Sequence, residues 1–184
     1  AIDGLIDKYK QTKTFQQNSS TPIKKADFEN RLKIANFNNG QGHFILRNKL
    51  ISDATGVAHG IFGNIGTAKY TIASNSLENP KSAQLEHVLP VKPKSWGAPW
   101  HDGDKATKEH EDYHTRIGNM TIFNAKDNKS VSNKPWDKKK ANYSDSKHAQ
   151  MTRDISSNAD WGKAEIDKRT IELVDYISTT WWCF

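Results

Sequence analysis

The chain has 184 residues, and 27 Lys and Arg stand against 21 Asp and Glu for a net charge of +6. That length suits one domain, or a compact core with helical additions, and the basic excess favours an acidic partner such as nucleic acid. A single cysteine, Cys183, excludes a disulfide framework or a thiolate zinc site within one chain, and no apolar run approaches the roughly 20 residues of a membrane span.

The opening Ala1-Ile2-Asp3-Gly4 lacks the apolar centre of a signal peptide, so the expected location is cytoplasmic. The missing initiator methionine points to a processed form or an excised part of something longer. Ile2, Leu5, Ile6 and Tyr9 fall on one helical face, which predicts a helix over 1–16. A second helix is expected from about Thr21-Pro22 to Asn36, burying Phe28, Leu32 and Ile34 or Ala35 and ended by Asn38-Asn39-Gly40. A third carries Phe44, Ile45, Leu46, Leu50 and Ile51 and stops by Gly56. Residues 56–66 are glycine-rich loop, and Lys69 to Ser74 has strand-compatible residues.

Ala83 to Val88 is a strand-like run, and Met120 to Phe123 is a second that pairs naturally with it. Between them, residues 90–116 are polar, with turn signals at Pro90, Pro93 and Pro99, and a loop of that length is usually functional. Ala125 to about Ser132 can form a short helix carrying Asn128. Lys134 to Tyr143 is basic, and Trp161 to Trp182 is helical by pattern through Ile166, Ile171, Leu173, Val174 and Ile177. Helices, then a small strand–strand–helix unit, then helices make an α+β chain. Residues 1–80 form a helical N-terminal region packing on a core that occupies 81–184.

The chemistry concentrates in that core. Hydrolysing a phosphodiester needs a nucleophilic water, charge neutralisation at the phosphate and stabilisation of the leaving oxygen. His87 is a neutral base near pH 7 that can take the proton from water. Glu86 beside it offers a carboxylate for a hard divalent cation, and Asn128 a neutral amide oxygen. Adjacent strand residues point to opposite faces, so Glu86 and His87 share a site only if the strand kinks, for which Pro90 is at hand. Asn119 can tie the long loop by side-chain hydrogen bonds and so orient His87.

Glu86-His87-Val88-Leu89-Pro90, Trp96, Gly118-Asn119-Met120-Thr121-Ile122, Asn128 and Ser132-Asn133-Lys134-Pro135-Trp136-Asp137-Lys138-Lys139 together resemble the HNH, or ββα-metal, nucleases. The resemblance is most specific to the C-terminal HNH domain of GmrSD-type modification-dependent restriction and phage-defence proteins. It runs from Leu85 to the C-terminus, where Tyr143, Ser144, Trp161, Ile166 and Arg169 match tail positions, and the N-terminal 80 residues match only vaguely. It implies a small ββα-metal core embedded in N- and C-terminal helices, and a metal-dependent DNA endonuclease or nickase serving restriction. His87 is then the general base, Glu86 and Asn128 hold one Mg²⁺ or Mn²⁺, and Asn119 steadies the hairpin. The usual partner is an N-terminal nucleotide-hydrolysing sensor domain, of which this chain holds nothing.

Arg116, Asn133, Lys134, Lys138 and Lys139 are the expected DNA contacts, because they flank the site and phosphate contacts set register. Each has a plain alternative: pairing of Arg116 with Asp112, a turn cap for Asn133, a solvated face for the lysines together with Lys140. Two rival functions remain. One is a DNA-binding module without catalysis. The other is a zinc protease, since His110-Glu111-Asp112-Tyr113-His114 fits H-E-x-x-H. Its surroundings are too polar for the buried helix that signature needs, and Ile117 and Met120 replace the glycine and histidine of its extended form. His110 or His114 can still flank the nuclease site from the loop.

Overall fold

A computed structural model describes residues 24–55, 83–103, 105–145 and 150–181. The helix expected over 1–16, the loop at 56–66 and the strand-compatible Lys69–Ser74 lie outside the described residues. The described chain is α+β. In order it forms α1 (Lys25–Lys33), α2 (Asn39–Thr55), β1 (Ala83–His87), β2 (His101–Asp102), β3 (Lys105–Ala106), α3 (Lys108–Tyr113) and β4 (Met120–Asn124). Then come α4 (Ala125–Val131), α5 (Trp136–Tyr143), α6 (Gln150–Arg153) and α7 (Lys163–Trp181). None of the described helices is long and apolar enough to cross a membrane.

The boundary between α1 and α2 differs from the expected one. Asn38 does not end the second predicted helix but starts the next. Its side-chain oxygen accepts from the Gln41 N–H at 2.9 Å, and the Gln41 side chain accepts from the Asn38 N–H at 3.0 Å. That reciprocal pair is a capping box. In α1, which ends at Lys33 rather than Asn36, Leu32 is buried with Phe28 packed beside it; just beyond the helix Ala35 joins the same cluster, while Ile34 is 70% exposed.

β1 and β4 pair antiparallel, with His87 opposite Met120, Glu86 opposite Thr121 and Leu85 opposite Ile122. Two apolar clusters flank this ladder. Leu85, Met120 and Ile122 join Ile45, Leu46 and Leu50 of α2 and Leu173, Val174 and Ile177 of α7. Val88, Leu89 and Phe123 join Val131, Trp136, Tyr143, Trp161 and Ile166. The period-two alternation of the strands is what divides their side chains between two cores. Buried hydroxyls add a polar tie: Thr121 and Thr152 are 2.9 Å apart, and Thr152 donates to the Ile122 carbonyl at 2.8 Å.

The connection between the strands has more structure than its composition announces. It contains the short β2–β3 hairpin and α3, whose start is capped by Thr107 Oγ1 accepting from the His110 N–H at 3.2 Å. Trp100 and His110, each about 3% exposed, anchor this polar segment from inside. Its return to β4 runs under α7. Arg169 donates to the Gly118 carbonyl at 2.7 Å and to the Met120 carbonyl at 2.5 Å.

α7 passes tightly over Gly118. A Cβ there would lie 2.3 Å from both the Ile166 carbonyl oxygen and Thr170 Oγ1, and 2.7 Å from the Thr170 nitrogen. Two of those atoms are backbone and cannot rotate away. Gly118→Ala should therefore destabilise the fold by about 1–3 kcal/mol through overpacking, read as a lower denaturant midpoint at unchanged slope.

Candidate active site

His87 closes β1, and the peptide that follows it is held from both sides. Its carbonyl accepts from Lys139 Nζ at 2.8 Å, and the Val88 N–H donates to the Asn119 carbonyl at 2.9 Å. With both polar groups of that peptide engaged, the backbone that aims the imidazole is fixed.

Asn119 is fully buried, and its side chain uses both ends. Oδ1 accepts from the Leu89 N–H at 2.7 Å and from Trp161 Nε1 at 3.1 Å. Nδ2 donates to the Leu89 and His114 carbonyls, each at 2.9 Å. One amide thus joins the turn after β1, the end of the long connection and the segment leading into α7.

The imidazole of His87 faces two others. His114 lies 6.5 Å from it between ring centroids, and His110 stacks on His114 at 4.5 Å with planes 7° apart. His110 Nε2 donates to the Pro90 carbonyl at 2.8 Å, and His114 Nδ1 donates to the His110 carbonyl at 2.9 Å. Burial, then the neighbouring His114, Lys139 and His110, lower the His87 pKa to about 4. The ring is therefore neutral at physiological pH, which is the form a proton acceptor needs.

Glu86 goes elsewhere. The strand does not kink enough to unite the pair, and alternation turns its carboxylate towards α5. Oε1 accepts from Lys139 Nζ at 2.6 Å and from the Tyr143 hydroxyl at 2.8 Å. Glu86 is 4% exposed, and Lys139 and Tyr143 not at all. Burial raises the Glu86 carboxyl and lowers the Lys139 ammonium from their ordinary values, each against the pull of its partner. Burial and the adjacent carboxylate push the Tyr143 phenol well above its usual range, so it stays a donor.

The expected metal-ligand pair is opposed by this geometry: Glu86 Oε1 already accepts from an ammonium and a phenol, and the buried ammonium would repel a cation placed at the other oxygen. Among the described residues, no group of three or more His, Cys, Asp or Glu side chains is placed to hold an ion. Asn128 donates Nδ2 to the Leu85 carbonyl at 3.0 Å, which leaves its amide oxygen outside that bond.

The expected DNA contacts divide in the same way. Lys139 is corrected: a side chain with no exposed surface inside an ion pair cannot meet a phosphate. Arg116 pairs with Asp167 at 2.9 Å and lies over the Tyr113 ring at 4.1 Å, and only its backbone-directed bond reaches Asp112. Asn133, Lys134 and Lys138 are exposed, Lys138 beside Asp137 at 3.2 Å. The turn bearing Asn133 and Lys134 is pinned by Ser95 and Trp96, which donate to their carbonyls at 2.7 and 3.0 Å. Lys140 donates to the Asn158 carbonyl at 2.7 Å.

The zinc-protease arrangement is not formed. His110 Nε2 is committed to the Pro90 carbonyl, the two histidines stack instead of converging, and α3 has only six residues. Tyr143, Trp161 and Arg169, which carried no chemistry in the sequence, turn out to touch Glu86, Asn119 and the Gly118–Met120 carbonyls. Their only sequence signal was the match of tail positions.

No curated protein and no solved structure is significantly similar to the chain. A family model does match it, over residues 19–176: the C-terminal domain of GmrSD restriction endonucleases. With that match covering most of its length, the chain belongs to the family of GmrSD restriction endonuclease C-terminal domains, and its function class is that of a restriction endonuclease acting on DNA.

Proposed function

We propose that this domain is an HNH-type nickase that hydrolyses DNA phosphodiester bonds, with His87 as general base. The observation that supports it is the neutral His87 imidazole, aimed by a peptide bonded on both sides at the end of a two-stranded ladder whose second strand runs straight into α4. In this reading His87 takes the proton of the attacking water, and His114 walls the same face of the strand end. Asn119 is the clamp that keeps the turn after His87 closed. Exposed Asn133, Lys134 and Lys138 are the remaining surface for the DNA backbone.

A divalent ion, Mg²⁺ or Mn²⁺, would supply charge neutralisation at the phosphate and the leaving oxygen, and Asn128 is the expected ligand still able to offer it an oxygen. One such site cuts one strand per event.

Supercoiled plasmid is the test. With Mg²⁺ or Mn²⁺ the product should be open-circular DNA, with linear DNA appearing only later, and EDTA should stop the reaction. Cleavage that continues in EDTA would overturn the metal dependence. A protein that binds the plasmid but never nicks it in either metal is the inert DNA-binding module instead.

A further inference from the structure

We propose that Glu86 and Lys139 are neither a metal ligand nor a phosphate contact but, with Tyr143, a buried brace that positions His87. The inference rests on the reading of His87 as the base. It begins from an ammonium that bonds two consecutive residues of β1: the Glu86 carboxylate at 2.6 Å and the His87 carbonyl at 2.8 Å. Those residues lie 53 and 52 positions before Lys139, so α5 reaches back across the fold to hold the end of the strand.

Each member of the brace is set by another. Tyr143 stands one turn after Lys139 on α5 and donates to the same carboxylate oxygen. Its ring meets Phe123 of β4 edge-on at 5.3 Å and Trp136 at 6.3 Å. Lys139 then carries this rigidity to the His87 carbonyl, while the Val88 N–H on the other side of that peptide is taken by Asn119.

A ligand role for Glu86 works against this arrangement. An Mg²⁺ or Mn²⁺ ion sits about 2.1 Å from a carboxylate oxygen. Here Oε1 already accepts two donors, one of them charged, and an ion at the other oxygen would stand beside an ammonium that has no solvent to retreat to. The face is wrong as well, because alternation sends Glu86 and His87 to opposite sides of the strand.

The variants that test this are Glu86→Gln, Lys139→Met and the two combined, which swap the charges for neutral groups of similar shape. Unfolding should show strong coupling: the double variant is more stable than Lys139→Met alone. By calorimetry, Mn²⁺ affinity of the double variant should stay within about twofold of wild type, whereas losing a true ligand or its support costs about 10–100-fold. Nicking should lose kcat by about tenfold or more at nearly unchanged KM, the pattern of a misplaced group.

Positioning also has a readout that does not need cleavage. In the metal-free protein, the His87 imidazole NMR resonances should move in the double variant while those of His101 stay. Loss of Mn²⁺ binding in Glu86→Gln would make Glu86 a ligand. A raised KM with unchanged kcat in Lys139→Met would make Lys139 a DNA contact, and an unmoved His87 spectrum would end the positioning claim. If wild type neither nicks nor binds Mn²⁺, the nuclease reading fails while the stability cycle and the spectra still decide the brace.

Discussion

Replacing His87 by alanine should lower the nicking rate by about 10²–10⁴-fold, the usual contribution of a positioned general base. The fold should survive, because the bonds that organise this corner come from the backbone. Lys139 still reaches the carbonyl of residue 87, and Asn119 still takes the N–H of Val88. The imidazole's ring contact is with His114 at 6.5 Å, too loose to carry much stability. A melting temperature close to wild type together with lost nicking is the expected pair of results.

The pH profile adds a sign that can be checked. A His87 pKa lowered to about 4 means that the base is neutral above that value and lost by protonation below it. Nicking by wild type should therefore not fall between pH 8 and pH 6 on account of this group, although an ordinary histidine would begin to lose its lone pair near 6.5. Full cleavage by His87→Ala would sink the mechanism whatever the pH profile shows.

How much of this was legible in the sequence depends on whether the decisive contact is local. The two strands, the short helix carrying Asn128 and the long amphipathic α7 follow from periodicity, and each stands close to where the pattern puts it. Glu86 shows the limit. Its neighbour His87 is visible in the chain, but strand geometry separates the two side chains, and the carboxylate's partner lies 53 residues away. Lys139 was hidden in a run of three lysines, which looks like a solvated face in any one-dimensional reading. Only packing reveals that its middle member turns inward while Lys138 stays out. The α1–α2 boundary misled for a local reason: Asn38-Asn39-Gly40 is as good a stop signal as a start, and the Gln41 that completes the capping box decides it. His114 sits in a motif that points to different chemistry, yet its place in the loop left it a flank of the site, and its ring lies 6.5 Å from that of His87.

The largest expected effect on stability is at Asn119. Asn119→Ala removes four hydrogen bonds of a side chain with no exposed surface. It leaves the Leu89 N–H and carbonyl, the His114 carbonyl and the Trp161 indole N–H to find other partners or none. A single buried polar group left unsatisfied costs about 1–3 kcal/mol, and relaxation of the turn makes such losses less than additive. About 3–5 kcal/mol is the expected total, a large share of the roughly 5–15 kcal/mol that holds a domain of this kind together.

The amide is also what joins the turn after His87 to the connection that carries His114, so its loss should act on chemistry as well as on folding. At a temperature where the variant is still folded, nicking should drop by about 100-fold, the scale of a misplacement near 1 Å. Asn119→Asp separates the two halves of the clamp. It keeps the oxygen that receives the Leu89 and Trp161 N–H groups but sets a second oxygen against the Leu89 and His114 carbonyls. If the clamp acts through all four bonds, the aspartate variant should be destabilised nearly as much as the alanine one. A wild-type denaturation midpoint for Asn119→Asp would mean that the donor side holds nothing, and His114 would then owe its place beside His87 to its stack on His110 and its bonds to the His110 carbonyl.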